Sequence, residues 1–206
     1  TVAQQFGMGE QADGVLTSGG SLGNLTALLA ARRFKSSHDV WSEGHREPLA
    51  VMVSEQAHYC VDRAARVMGW GEQGVIRIPV DNDFRMDTQA LGHHLQQSRE
   101  AGLNVIAVIG SACSTATGSF DDLNAIADFC EANNLWFHVD GAHGAAVTFS
   151  EKHRHLVAGI ERADSAVLDF HKLLMTPALA TALVFRDGRN GYQTFAQKAQ
   201  YLWSDP

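Results

Sequence analysis

A lysine set among apolar residues, an aspartate ending an apolar run and a glycine-rich turn before a helix could do chemistry here. Lys172 lies between Val167-Leu-Asp-Phe170 and Leu173-Leu-Met175, a setting that predicts partial burial. Burial disfavours an ammonium ion, so a buried amine becomes a competent nucleophile toward carbonyls. Asp140 follows the run Leu135–Val139, where it either caps the next segment or faces a ligand. Thr17-Ser-Gly-Gly-Ser21 opens the helical stretch Leu22–Arg33. A small, hydroxyl-bearing start suits a helix N-terminus open to an anion, or simply a helix entry. The turn has neither the Gly-Lys-Ser/Thr of a P-loop nor the spacing G-x-G-x-x-G. Ser114, Thr115 and His171 add hydroxyl and imidazole groups near the ends of other apolar runs.

The remaining titratable residues carry weaker patterns. His138, Asp140 and His143 form H-x-D-x-x-H, and on a strand positions 138 and 140 share a face. No further Cys/His/Glu cluster supports a metal there, so a metal hydrolase is the lesser reading. His93, His94, His153 and His155 have polar neighbours and read as surface residues. Cys60, Cys113 and Cys130 lie in apolar or helical contexts with no paired spacing, which fits free thiols in a reducing cytosol.

These residues need a frame. Short runs rich in β-branched residues occur at Leu49–Val53, Val75–Ile78, Val105–Ile109, Leu135–Val139 and Ala166–Leu168. Helical patterns lie between them near 57–68, 87–101, 121–133 and 153–162. Two-sided apolar strands alternating with amphipathic helices predict an α/β fold, a mostly parallel sheet with helices on both faces. A sixth strand, Ala180–Phe185, follows after too short a gap for a helical crossover, so it is expected antiparallel to its predecessor. Ligands of open α/β sheets sit outside the carboxyl ends of the parallel strands. Asp140, His171 with Lys172, and Ser114 with Thr115 all fall at such ends.

The 206 residues are 45% hydrophobic and 19% charged, enough for one domain with a real core. A net charge of −7 argues against a nucleic-acid or anionic-membrane surface, both of which reward clustered Lys and Arg. No apolar run approaches the ~20 residues of a membrane-spanning helix. The chain starts with Thr and ends on the apolar-rich Tyr201–Pro206, as an excerpt from a longer protein would.

Five segments occur in an order that resembles a known family. They are Leu16-Thr-Ser-Gly-Gly-Ser-Leu-Gly-Asn-Leu25, Ser54-Glu-Gln-Ala-His58, Ser114-Thr-Ala-Thr-Gly-Ser-Phe-Asp121, His138-Val-Asp-Gly-Ala-His-Gly144 and Asp169-Phe-His-Lys172. The chain resembles, over nearly its whole length, the group II pyridoxal-phosphate-dependent amino-acid decarboxylases, which include glutamate, aromatic-amino-acid and 2,4-diaminobutyrate enzymes. With Met175-Thr-Pro-Ala-Leu-Ala-Thr-Ala182 it looks most like the bacterial diaminobutyrate and glutamate branch.

The resemblance implies the large domain of a fold-type I enzyme, a homodimer with its active site at the subunit boundary, and pyridoxal 5'-phosphate as cofactor. Lys172 would hold the cofactor as a Schiff base, and Asp140 would pair with the pyridine nitrogen to keep it protonated. His58 would stack on one ring face, with Ala142 against the other. Gly20, Ser21 and His171 match phosphate-binding positions, and Thr115 a hydroxyl that contacts the cofactor–substrate adduct. The implied reaction is loss of carbon dioxide from an L-amino acid to give an amine, with the bond to the carboxylate held perpendicular to the ring.

The sequence departs from the pattern at Asp169, where many members have Asn, and at Cys113, where Gly is commoner. The family's mobile tyrosine loop and C-terminal small domain fall beyond residue 206, so a chain of these residues alone is expected not to turn over. Another pyridoxal-phosphate reaction, as in a transaminase, desulfurase or carbon–carbon lyase, and a noncatalytic dimerisation scaffold are the competing readings. No Arg clamp or aromatic box marks the substrate.

Overall fold

The computed structural model describes residues 1–197. The apolar end Tyr201–Pro206 lies outside the described residues.

In chain order the elements are α1 (Val2–Gln5), β1 (Asp13–Thr17), α2 (Gly20–Lys35), α3 (Val40–Glu43), β2 (Leu49–Ser54), α4 (Cys60–Val67) and β3 (Val75–Ile78). They continue with α5 (Leu91–Glu100), β4 (Asn104–Ser111), α6 (Leu123–Asn133), β5 (Trp136–Asp140), β6 (Ser165–Asp169), β7 (Thr181–Phe185) and α7 (Gly188–Phe195). The strands form one seven-stranded sheet in the order β1-β7-β6-β5-β4-β2-β3. Strands β2 to β6 pair in parallel, and β7 runs antiparallel to β6, as the short connection predicts.

Alternating side chains along the strands feed two cores, one on each face of the sheet. On one face α2 and α4 bury Ala27, Leu28, Ala31, Val61 and Ala64 against Val51, Ile109, Trp136, Val167 and Leu183. On the other, α5 and α6 bury Leu91, Leu95, Leu123 and Ile126 against Met52, Ile78, Val108, Phe137 and Leu168. Ile106 is an extra residue in the β2–β4 ladder, where the register steps from Ala50↔Val105 to Val51↔Ala107. That bulge puts Ile106 and Ala107 together in the same core.

Three elements differ from the sequence reading. Strand β1 was not foreseen: it is an edge strand with Val15 and Leu16 exposed, so it lacks the alternation that marks a half-buried strand. Helix α7 was likewise not foreseen. The helix expected over 153–162 is instead a pair of short 3-10 turns, Arg154–Val157 and Ile160–Arg162. Gly159 separates them at φ +100°, and a Cβ there would stand 2.7 Å from the Asn124 backbone nitrogen, so close approach to α6 interrupts the helix. Among the described residues no helix is long and apolar enough to cross a membrane.

The edge strand matters for the site. Because β1 is antiparallel to β7, and β7 to β6, β1 points the same way as the parallel strands. Thr17 pairs with Thr181, and Thr181 with Asp169. The turn after β1 therefore opens at the same sheet edge as the carboxyl ends of β4, β5 and β6.

Candidate active site

At that edge lies a cavity of about 310 Å³, within the size range of small-molecule sites. Gly20, Ser21, His58, Thr115, Asp140, Ala142, His171 and Lys172 all line it, so the sheet gathers every candidate residue. Asp140 is the last residue of β5, and Lys172 lies just past the end of the neighbouring β6. Among the described residues no group of three or more His, Cys, Asp and Glu side chains is placed to hold a metal ion.

Local bonds set each wall. Helix α2 begins at Gly20, directly over the cavity, and Gly20 packs so tightly that a Cβ would stand 2.9 Å from the Ala142 Cβ. The Ala142 amide donates to Asp140 Oδ1 at 3.2 Å, and the Asp169 amide donates to the Ala142 carbonyl at 3.2 Å. These bonds tie the turn after β5 to the end of β6. On the opposite wall, Ser114 Oγ donates to the Gln56 carbonyl at 3.1 Å, joining the loops after β4 and β2. The Cys60 amide donates to His58 Nδ1 at 3.3 Å and so sets the ring that faces the cavity.

Lys172 is half-buried, and its Nζ pairs with Asp169 Oδ2 at 2.9 Å. The sequence flagged Asp169 as a departure without anticipating this partnership. Asp169 is almost wholly buried and also accepts a hydrogen bond from Thr181 Oγ1. Its carboxylate lies beneath the start of α2, with both oxygens within 3.2 Å of where a Gly20 Cβ would be. His171 Nε2 stands 3.7 Å from Asp169 Oδ2, while its Nδ1 accepts the Ala180 amide at 3.2 Å. When the lysine is engaged elsewhere, Thr181 and the Nε2 side of His171 remain to satisfy this carboxylate.

The donor set fits pyridoxal phosphate. The amine of Lys172 and the carboxylate of Asp140 both line the cavity, as do the imidazole of His58 and the small Ala142. The unpaired amides at the start of α2, with the Ser18 and Ser21 hydroxyls, form an anion cradle. Adding a methyl at Gly20 would crowd that cradle.

The sequence reading also missed a set of buried polar residues behind Asp140. Asn24, Cys60, His138 and Ser165 are linked by hydrogen bonds although up to 114 positions apart. His138, a candidate metal ligand by its spacing, is fully buried, and desolvation lowers its pKa to about 4 against an opposing pull from Asp140.

An open α/β sheet with a lysine and an aspartate at adjacent strand ends, facing an anion cradle, defines a cofactor-binding domain of the pyridoxal-phosphate type. The chain belongs to the pyridoxal-dependent decarboxylase conserved domain family, which it matches over residues 1–205. It is 36% identical over 197 residues to an aromatic-L-amino-acid decarboxylase of Bacillus atrophaeus, covering 96% of this chain and 40% of that protein. It is 38% identical over 191 residues to an L-2,4-diaminobutyrate decarboxylase of Rhizobium meliloti, covering 93% and 37%. The crystal structure of mouse CSAD in apo form superposes with a TM-score of 0.92 at 34% identity, over 99% of this chain and 43% of that one. The chain thus spans about two fifths of the length of these curated relatives.

Proposed function

We propose that this chain is the cofactor-holding part of an enzyme that decarboxylates an L-amino acid to the corresponding amine, with Lys172 as the attachment point for pyridoxal phosphate. The observation that carries this reading is the placement of Lys172 and Asp140 at the ends of paired parallel strands, on one cavity roofed by the start of α2.

Bound pyridoxal phosphate supplies an electron sink for the pair left when the carboxylate departs. The protein's part is placement and electrostatics. Asp140 would hold a proton on the ring nitrogen through a charge-assisted hydrogen bond. His58 and Ala142 would pack against the ring and so limit the direction a substrate bond can point. The amides of Gly20 and Ser21, the Ser21 hydroxyl and His171 would hold the phosphate. A helix N-terminus is worth only about 0.3–2 kcal/mol toward an anion, so the covalent link and the other donors must share the binding. Thr115 offers a hydroxyl to the incoming amino acid. Asp169, 2.9 Å from Lys172 Nζ in this structure, would keep the lysine amine within the site whenever it is not bonded to the cofactor.

The relatives include decarboxylases of aromatic L-amino acids, L-aspartate, cysteine sulfinic acid and L-2,4-diaminobutyrate, a range that points to an L-amino acid as the substrate class. The whole protein is proposed to be a cytoplasmic homodimer, in keeping with Cys60, Cys113 and Cys130 as free thiols.

The test is direct. Protein mixed with pyridoxal phosphate should gain visible absorbance, and borohydride should fix the label on the peptide containing Lys172. Lys172→Ala should take no label, and an amino-acid panel should release carbon dioxide with one or a few substrates. A label elsewhere, or a keto acid in place of an amine, would overturn the assignment.

A further inference from the structure

Asp140 does not stand alone. Trp136 Nε1 donates to Ser165 Oγ at 2.9 Å, and Ser165 Oγ lies 2.8 Å from His138 Nδ1. His138 Nε2 lies 2.7 Å from Asn24 Oδ1, and Asn24 Nδ2 donates to Cys60 Sγ at 3.4 Å. Cys60 Sγ then donates to Asp140 Oδ2 at 3.6 Å. Apart from Asp140, every member of this chain is buried.

An ionised carboxylate can only accept, so the Asp140 end sets its direction. Cys60 donates to Asp140 and accepts from the Asn24 amide NH₂, which leaves Asn24 Oδ1 facing His138 Nε2. Ser165 Oγ accepts from Trp136 and turns its own proton to His138 Nδ1, which also lies 3.1 Å from the Ser165 carbonyl oxygen, the one contact that favours the opposite arrangement. The histidine proton then sits on Nε2 and points at Asn24 Oδ1, which turns the amide NH₂ toward Cys60. The thiol keeps its proton, because burial and the nearby Asp140 charge raise its pKa, and passes it toward Asp140. In the opposite arrangement His138 carries its proton on Nδ1. The Asn24 amide is then turned over, and the Cys60 proton is drawn away from Asp140.

We infer that Trp136, Ser165, His138, Asn24 and Cys60 form a one-way hydrogen-bond relay that ends on Asp140 and aims its carboxylate at the cofactor's ring nitrogen. The inference rests on the proposed function for the identity of the ring. Cys60 and Asn24 line the cavity beside Asp140, and the role assigned to them is positioning: Cys60 donates to Asp140, and Asn24 to Cys60. The relay occupies Asp140 Oδ2 from behind, while the Ala142 amide occupies Oδ1. Only the free lone pairs facing the cavity are left for the ring N–H. A carboxylate whose other acceptor sites are filled by fixed donors is held in one rotamer.

Two measurements test it. With ¹⁵N-labelled histidine in cofactor-free protein, long-range proton–nitrogen correlation should show His138 neutral with its proton on Nε2 at pH 7. An Nδ1 proton, or an imidazolium, overturns the relay's direction. Pyridoxal phosphate is then titrated into wild type, Cys60→Ser and Cys60→Ala. Loss of the donor should weaken cofactor binding by about three- to tenfold and change the pH dependence of the visible absorbance. Cys60→Ser, which keeps a donor, should restore both. Equal binding and equal spectra in all three proteins overturn the coupling to Asp140. If wild type itself fails to bind pyridoxal phosphate, the cofactor reading falls, and with it the role of the relay in aiming Asp140. The histidine tautomer still decides the relay's direction on its own.

Discussion

Replacing Gly20 by alanine asks whether the roof of the cavity is as tightly built as its geometry indicates. The added methyl would meet Ala142 Cβ at 2.9 Å and the Asp169 oxygens at 3.1 and 3.2 Å. Neither neighbour can swing aside. Ala142 has no rotamer and is held at both its amide and its carbonyl, and Asp169 is engaged by Thr181 and Lys172. Helix α2 must therefore lift, or the turn after β5 must move. Overpacking of this kind costs about 1–3 kcal/mol, which in a chain of this size lowers Tm by about 2–12 °C. The same shift displaces the amides that would hold a phosphate, so affinity for pyridoxal phosphate should fall as well. Gly92→Ala is the control. Gly92 lies in α5 with nothing within 4 Å of a new Cβ, and alanine there should add up to about 1 kcal/mol of stability. Thermal unfolding and cofactor titration of both variants read the two effects. If Gly20→Ala matches wild type in Tm and in cofactor affinity, the close packing of α2 on the site is wrong.

Two further outcomes follow from buried polar groups. His138 binds its proton less tightly folded than unfolded, so the unfolded chain protonates first as pH falls. Stability is full above about pH 6.5 and is lost toward pH 4, by about 3 kcal/mol in all. Urea unfolding between pH 7.5 and 5 should show this slope in wild type and a flatter one in His138→Gln; a flat wild-type profile would contradict it. Asp121 accepts the Met86 and Ser111 amides, each at 2.7 Å, in a buried setting. Asp121→Ala should cost about 2–4 kcal/mol by leaving both donors unsatisfied, with Asp121→Asn recovering part of that loss, as read by chemical denaturation.

Much of this architecture is written in local pattern. Apolar runs such as Leu49–Val53 and Val105–Ile109 mark strands buried on both faces, and the short link before Ala180–Phe185 gives away the reversed strand. Edge strand β1 escapes because an exposed strand carries little hydrophobic signature. The 3-10 turns around Gly159 escape because the interruption comes from α6, a distant neighbour. The candidate site was legible where residues sit at strand ends, as Asp140 and Lys172 do, or within a helix entry, as Gly20 and Ser21 do. The Asp169–Lys172 pair is only three residues apart, yet nothing in its spelling announces that the acid turns inward. The relay was beyond reach, because His138 meets Ser165 only through the pairing of β5 with β6, and meets Asn24 only through the docking of α2.

The Thr17–Thr181–Asp169 row has a consequence for how the protein comes into being. The anion cradle is synthesised before the lysine, and the strand that stitches them together, β7, follows both. Closing so long a stretch of chain is entropically costly and slow, so the two helix-covered faces can form before the site does. A nascent chain released short of Thr181 would keep most of its hydrophobic interior and still have no place to seat a phosphate beside an amine. Binding competence should therefore wait until β7 has been made and paired, and should be among the first properties lost when β7 frays.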